Sequence, residues 1–155
     1  SASTIISIQE SWSLVKKQAD IMLIIDTSAL AAILLGEAAA DSLAACMASA
    51  DARALSAANY LELGIVMAGK DAVSARTAAK AVDRFLAASD IAVTPVSEAH
   101  ARTALEAHLK FGKGRGHRAK LNFGDCFAYA LAKSLDAPLL YVGEDFAHTD
   151  IKSAL

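Results

Sequence analysis

Four acidic residues lying far apart in the chain, Asp26, Glu62, Asp125 and Asp145, are the groups whose chemistry would matter if the fold brought them together. Hard carboxylate oxygens in that number suit Mg²⁺ or Mn²⁺ far better than zinc. Carboxylates sharing one cleft repel one another and raise each other's pKa unless cations are bound, so convergence implies metal. A divalent ion held in this way activates water and stabilises the charge that develops on a phosphodiester, and no Ser, Cys or His nucleophile is then required. None is evident: His100, His108, His117 and His148 lack metal-ligand spacing such as HExxH, and Cys46 and Cys126 form no CxxC pair.

Taken singly, three of the acids also have ordinary explanations. Asp26 and Asp145 follow apolar runs and read equally as strand-to-loop residues bonding nearby backbone amides. Asp125 fits the first turn of a helix capped by Asn122, where a negative charge is favoured by about 0.3 to 1 kcal/mol. Glu62 resists such a reading. It sits inside a helical pattern with Ala58, Ile65 and Val66 as its expected own-face neighbours, a costly place for a lone charge. A buried ion pair with a distant Arg is the main rival to a metal there.

The elements that must position these acids follow from periodicity. A short apolar strand at 22–25 runs into Asp26, with Thr27 and Ser28 as caps for a helix over 29–35 that Gly36 stops. A helix over 37–49 presents Leu43 and Met47, a strand follows at 53–56, and a helix over 57–68 carries Glu62. The spacing predicts an amphipathic helix over 72–88 with Val73, Ala81, Phe85 and Leu86 inward, a strand at 91–94, and a helix from a Ser97 cap to about Lys110. The stretch FGKGRGHRAK over 111–120 is a glycine-rich basic loop; Lys113, Arg115, His117, Arg118 and Lys120 form the one local patch of positive charge, placed to meet a phosphate backbone. A helix over 126–135 and a last buried strand at 139–142 complete the set, and Tyr129 is either a base-stacking ring or core.

Strands alternating with helices predict a single α/β domain, a short central parallel sheet surrounded by helices. In such sheets ligands sit beyond the carboxyl ends of the strands, which places Asp26 and Asp145 in one neighbourhood by topology alone. Residues 1–21 look different: Ile8, Trp12, Val15 and Ala19 fall at helical spacing before a denser apolar run begins at Met22. We read 1–21 as a helical appendage, derived from an expression vector or resembling a partner helix, and 22–155 as the domain.

Composition narrows the alternatives. The net charge of −2 gives no global field toward nucleic acid or anionic membrane, so a polyanion site must come from the local patch. The longest apolar stretch, at 28–36, falls short of the roughly 20 residues a spanning helix needs. No secretory signal is evident, and a reducing cytoplasm fits two unpaired, packed cysteines. A phosphatase with a DxD pair would need a second Asp after Asp26-Thr27-Ser28, and a receiver domain would need adjacent acids there. Neither signature is present.

The segments MLIIDTSAL, NYLELGIV, LNFGDCFAYALA and LLYVGEDFAHTDI resemble, in order and spacing, the VapC toxins of the PIN-domain ribonuclease family, over essentially all of 22–155. The resemblance implies a PIN-like fold, Mg²⁺- or Mn²⁺-dependent endoribonuclease activity, a VapB-type antitoxin as partner and a homodimer. Carried over residue by residue, it places the acidic site on Asp26, Glu62, Asp125 and Asp145, with Thr27 or Ser28 as accessory hydroxyl and Asp150 as a supporting position. The family's members usually begin near the position of Met22. An RNA- or antitoxin-binding module of the same fold without cleavage is the alternative.

Overall fold

Met22–Ile25 (β1) is apolar on both sides, as a strand buried between two layers must be. Side chains alternate across it: Leu23 and Ile25 enter one core, Ile24 the other. The computed structural model describes residues 21–70 and 74–155, so the expected appendage over 1–21, except Ile21, and the inward candidate Val73 lie outside the described residues.

Ala52–Ser56 (β2), Ile91–Thr94 (β3) and Leu139–Leu140 (β4) join β1 in one parallel sheet of order β3-β2-β1-β4. The register is Ile24 opposite Ala54 on one side and Leu139 on the other. Six helices are present among the described residues: Thr27–Leu34 (α1), Ala40–Ser49 (α2), Ala57–Ala68 (α3), Ala75–Ala88 (α4), Glu98–Phe111 (α5) and Phe123–Ser134 (α6). One core joins Leu23, Ile25 and Leu55 to Leu30, Leu43, Leu63, Val82 and Leu86 of α1 to α4. The opposite core joins Ile24, Ala54 and Leu139 to Phe111 of α5, Tyr129 and Leu131 of α6, and Phe146. Helices cover both faces, and the expected architecture is the one found.

Several boundaries differ from expectation for local reasons. Asp26, not Thr27 or Ser28, caps α1, because its Oδ2 accepts the Ser28 backbone N–H at 3.0 Å and draws Thr27 into the first turn. Helix α2 begins at Ala40 rather than 37, after the turn that Gly36 makes at φ +64°. Helix α6 begins at Phe123 rather than 126, since Asn122 caps it directly. On α4, Ala81 faces solvent, and Val82 with Leu86 supplies the buried stripe. Strand β4 ends at Leu140 instead of 142: the Val142 N–H is taken by the Ser28 hydroxyl at 3.0 Å, and Gly143 at φ +97° turns the chain away. Of the cysteines expected to be packed, Cys126 is buried but Cys46 only half so, and neither is in a disulfide.

Candidate active site

The chain crosses from one side of β1 to the other only at β4, so a crevice opens at the carboxyl ends of these two strands. Asp26 stands at its floor, 2 % exposed, its backbone N–H bonded to the Leu140 carbonyl at 2.9 Å. Its Oδ2 accepts the Ser28 hydroxyl at 2.6 Å as well as the Ser28 amide. Its Oδ1 is buried with no hydrogen-bond partner. Asp125, in the first turn of α6, accepts the Asn122 backbone N–H at Oδ2, 3.0 Å, and returns its own N–H to the Asn122 side chain at 2.8 Å. The capping explanations for Asp26 and Asp125 are therefore correct, and each consumes one oxygen only.

Glu62 is half-buried rather than stranded in the core. Ile65, expected beside it on a buried face, is 64 % exposed, so this side of α3 opens outward and no ion pair is needed to rescue the charge. Asn59, one turn earlier and fully buried, donates from Nδ2 to Glu62 Oε1 at 3.3 Å and to the Gly124 carbonyl at 3.0 Å. The Glu62 carboxylate lies directly over the Gly124 Cα, where any Cβ would collide with it. Asn59 and Gly124 thus bind α3 to α6, and Thr27 joins them through its hydroxyl on the Asn59 carbonyl at 3.3 Å. Sequence reasoning passed over both residues, although an Asn one helical turn before an unexplained Glu was the available signal.

Electrostatics shows that the four acids share a neighbourhood. Burial pushes Asp26 up to about 6 against the hydrogen bonds from Ser28, and the charge of Glu62 adds to the rise. Burial likewise raises Asp125 to about 7, with the charges of Asp26, Asp145 and Glu62 contributing and the Asn122 amide opposing. Asp145 reaches this field from an exposed loop beyond β4. Among the described residues, no three His, Cys, Asp or Glu side chains close tightly enough to enclose a metal as they stand. Asp26, Glu62 and Asp125 are set by a helix cap or by helices, and Asp145 by the loop. Two buried oxygens without partners, Asp26 Oδ1 and Asn59 Oδ1, together with two carboxyls raised by burial and by the charge of neighbouring acids, fit a hard divalent cation.

The other expected site residues divide. Ser28 is engaged at the site, linking Asp26 to Val142. Asp150 is held by the Tyr129 hydroxyl at 2.6 Å and by Lys133 at 3.0 Å, one and two turns along α6 from Asp125, and these bonds keep its carboxyl below the usual range. Tyr129 is buried and serves the core, not an open stacking surface. In the basic loop His117 is exposed, with its ring edge-to-face against Phe111 at 5.1 Å and its Nδ1 accepting the Ala119 N–H at 3.0 Å. Lys113, Arg115, Arg118 and Lys120 are exposed and form no ion pair among the described residues.

Comparison with known proteins agrees with this architecture. A family model described as the PIN domain matches residues 23–152. The VapC ribonuclease Mb0625 of Mycobacterium bovis is 48 % identical over 134 residues, 86 % of this chain and 98 % of the relative. A ribonuclease VapC of Mycolicibacterium smegmatis is 42 % identical over 83 % of this chain and 97 % of its own length. Among solved structures, the sarcin-ricin loop cleaving toxin VapC20 of Mycobacterium tuberculosis superposes with a TM-score of 0.66 at 17 % identity, covering 83 % of this chain and 95 % of the other. VapBC2 of Rickettsia felis, bound to a DNA fragment from its promoter, gives 0.64 at 15 % identity over 85 % and 96 %. The chain belongs to the PIN-domain family, and within it to the VapC type. No helix among the described residues is long and apolar enough to cross a membrane.

Proposed function

We propose that the protein is a Mg²⁺- or Mn²⁺-dependent endoribonuclease, the toxin of a type II toxin–antitoxin pair whose partner is a VapB-type antitoxin. The observation that carries this reading is the crevice beyond β1 and β4, where burial, with the charge of neighbouring acids, raises Asp26 and Asp125 and leaves Asp26 Oδ1 buried without a partner. The ribonuclease names of relatives above 40 % identity and the VapBC pairs among the structural neighbours support it. When bound, a divalent ion supplies Lewis-acid charge and an activated water for phosphodiester hydrolysis.

The chain's own residues set the geometry. Asp26, Glu62 and Asp125 would be the principal ligands, with Asp145 completing the site from its loop. Each of the first three has one oxygen tied down, by Ser28, Asn59 and the Asn122 amide respectively, so the other is presented in a fixed direction. Lys113, Arg115, Arg118 and Lys120 would offset the phosphate charge that the acids repel. The homodimer implied by the resemblance belongs to this reading, and light scattering on the purified chain reads it.

Asp26→Asn and Asp125→Asn should each lower RNA cleavage by at least about a hundredfold while circular dichroism stays unchanged, because the ligands act as a unit. Unaltered Mg²⁺-dependent cleavage in either variant contradicts the assignment. Mapping RNA ends in cells expressing 22–155, beside the Asp26→Asn variant, reports activity and target together. RNA binding without cleavage in Mn²⁺ would favour the binding-module alternative.

A further inference from the structure

An aromatic ring stands in water beside the acids. Phe123, the first residue of α6, is 80 % exposed, although burying such a ring is worth kilocalories. It precedes Gly124, whose Cα carries the Glu62 carboxylate, and lies two residues before Asp125. Phe127 meets it edge-to-face, centroids 4.9 Å apart at 79°, which fixes the Phe123 ring while leaving it a free face. The two rings form one wall of a groove of about 470 Å³ between α5 and α6, with Ala101, Leu105, His108 and Lys113 among its other lining residues.

We propose that this groove takes a nucleobase of the RNA substrate, stacked on Phe123, for a nucleotide flanking the one that is cut. The inference rests on the ribonuclease reading and names how its substrate is held. Three observations support it. The groove borders the turn that holds Asp125, since Asn122 and Phe123 line it, Gly124 lies under the Glu62 carboxylate and Asp125 follows in the same turn. Its one lysine, Lys113, opens the basic loop, so a phosphate attached to the base meets cations rather than carboxylates. Its volume falls in the range of small-molecule sites, which suits a nucleoside-sized group better than a helix or strand of a protein partner. Phe123 and Asp125 are about 200° apart around α6, so the stacked base departs to the other side of the helix end from the scissile phosphate. A splayed single strand has that geometry.

The test compares Phe123→Ala, Phe123→Leu and Phe123→Trp. Cleavage of a short single-stranded RNA in Mg²⁺ should show KM raised about tenfold or more in the Ala and Leu variants, kcat within about twofold, and near-parental values for Trp, since base–aromatic stacking is lost without a π-face. In parallel, RNA carrying 2-aminopurine is added to Asp26→Asn protein, which leaves the RNA intact. Its fluorescence should be quenched, and Phe123→Ala in that background should abolish the quenching. A Leu variant equal to the parent in both assays overturns the proposal and marks the face as an apolar seat for a protein segment. Parental behaviour of all three variants overturns it outright. If the unmodified chain cleaves no RNA, the ribonuclease reading fails, and the quenching assay still decides whether Phe123 stacks a base.

Discussion

At Asp26 one oxygen caps a helix while the other is buried with no hydrogen-bond partner, and at Asp125 a backbone amide occupies one oxygen in the same way. Both carboxyls lie above their ordinary value of 3.8, at about 6 and about 7. A raised folded-state pKa favours the protonated fold, so the stability it confers is present below 3.8 and is lost as pH rises through these values. On the proposed reading, a bound divalent cation would reverse that loss. Metal-free protein should therefore unfold at a lower temperature above both values than below them, and Mg²⁺ should raise the midpoint, by about 2–8 °C, only in the higher range. Thermal scans across pH with and without Mg²⁺ check this, and a gain independent of pH would contradict it. Gly124→Ala tests the opposite face of the site. The new Cβ would displace the Glu62 carboxylate, and a misplacement of about 1 Å can cost on the order of a hundredfold in rate. Cleavage should fall by at least about tenfold while the melting temperature, aided by better helix propensity, holds.

At the scale of elements, α6 matters most, since its first turn carries Phe123, Gly124 and Asp125 together. Asn122→Ala removes the side-chain half of its cap and should cost about 1 kcal/mol of stability by denaturant titration. RNA cleavage should drop further than that loss alone explains, because the fraying turn is the one that holds Asp125. Elements with a sharp local signal were legible in sequence: Ala57–Ala68 follows a Ser cap, and Ile91–Thr94 is a short apolar run before a proline. Boundaries set by contacts across the molecule were not. Strand β4 stops early because a serine over a hundred positions away takes the Val142 amide. For the same reason Asp145 and Asp26 could be paired by topology, whereas the Asn59 bridge from Glu62 to the Gly124 carbonyl could not. Exposure of Phe123 was equally hidden, since the expected helix began at 126 and left Phe123 in the segment before it.

At the scale of the whole molecule, the order β3-β2-β1-β4 makes one of the sheet's two interior strands the first to be written among the described residues and its neighbour on one side the last. Leu139 is paired beyond β4 as well, its N–H bonded to the Lys152 carbonyl at 2.9 Å and its carbonyl accepting the Ala154 N–H at 3.0 Å. During synthesis, then, Asp26 leaves the ribosome more than a hundred residues before the strand that completes its surroundings. Chains cut off before Leu139 and tethered to a stalled ribosome by an unstructured linker long enough to bring Asp125 out of the exit tunnel should not cut RNA, whereas chains that also carry residues 139–154 should. Cleavage by the shorter stalled chains would show that the crevice forms without β4. The topology would thus act as a clock, holding activity back until β4 and the residues that pair with it have emerged.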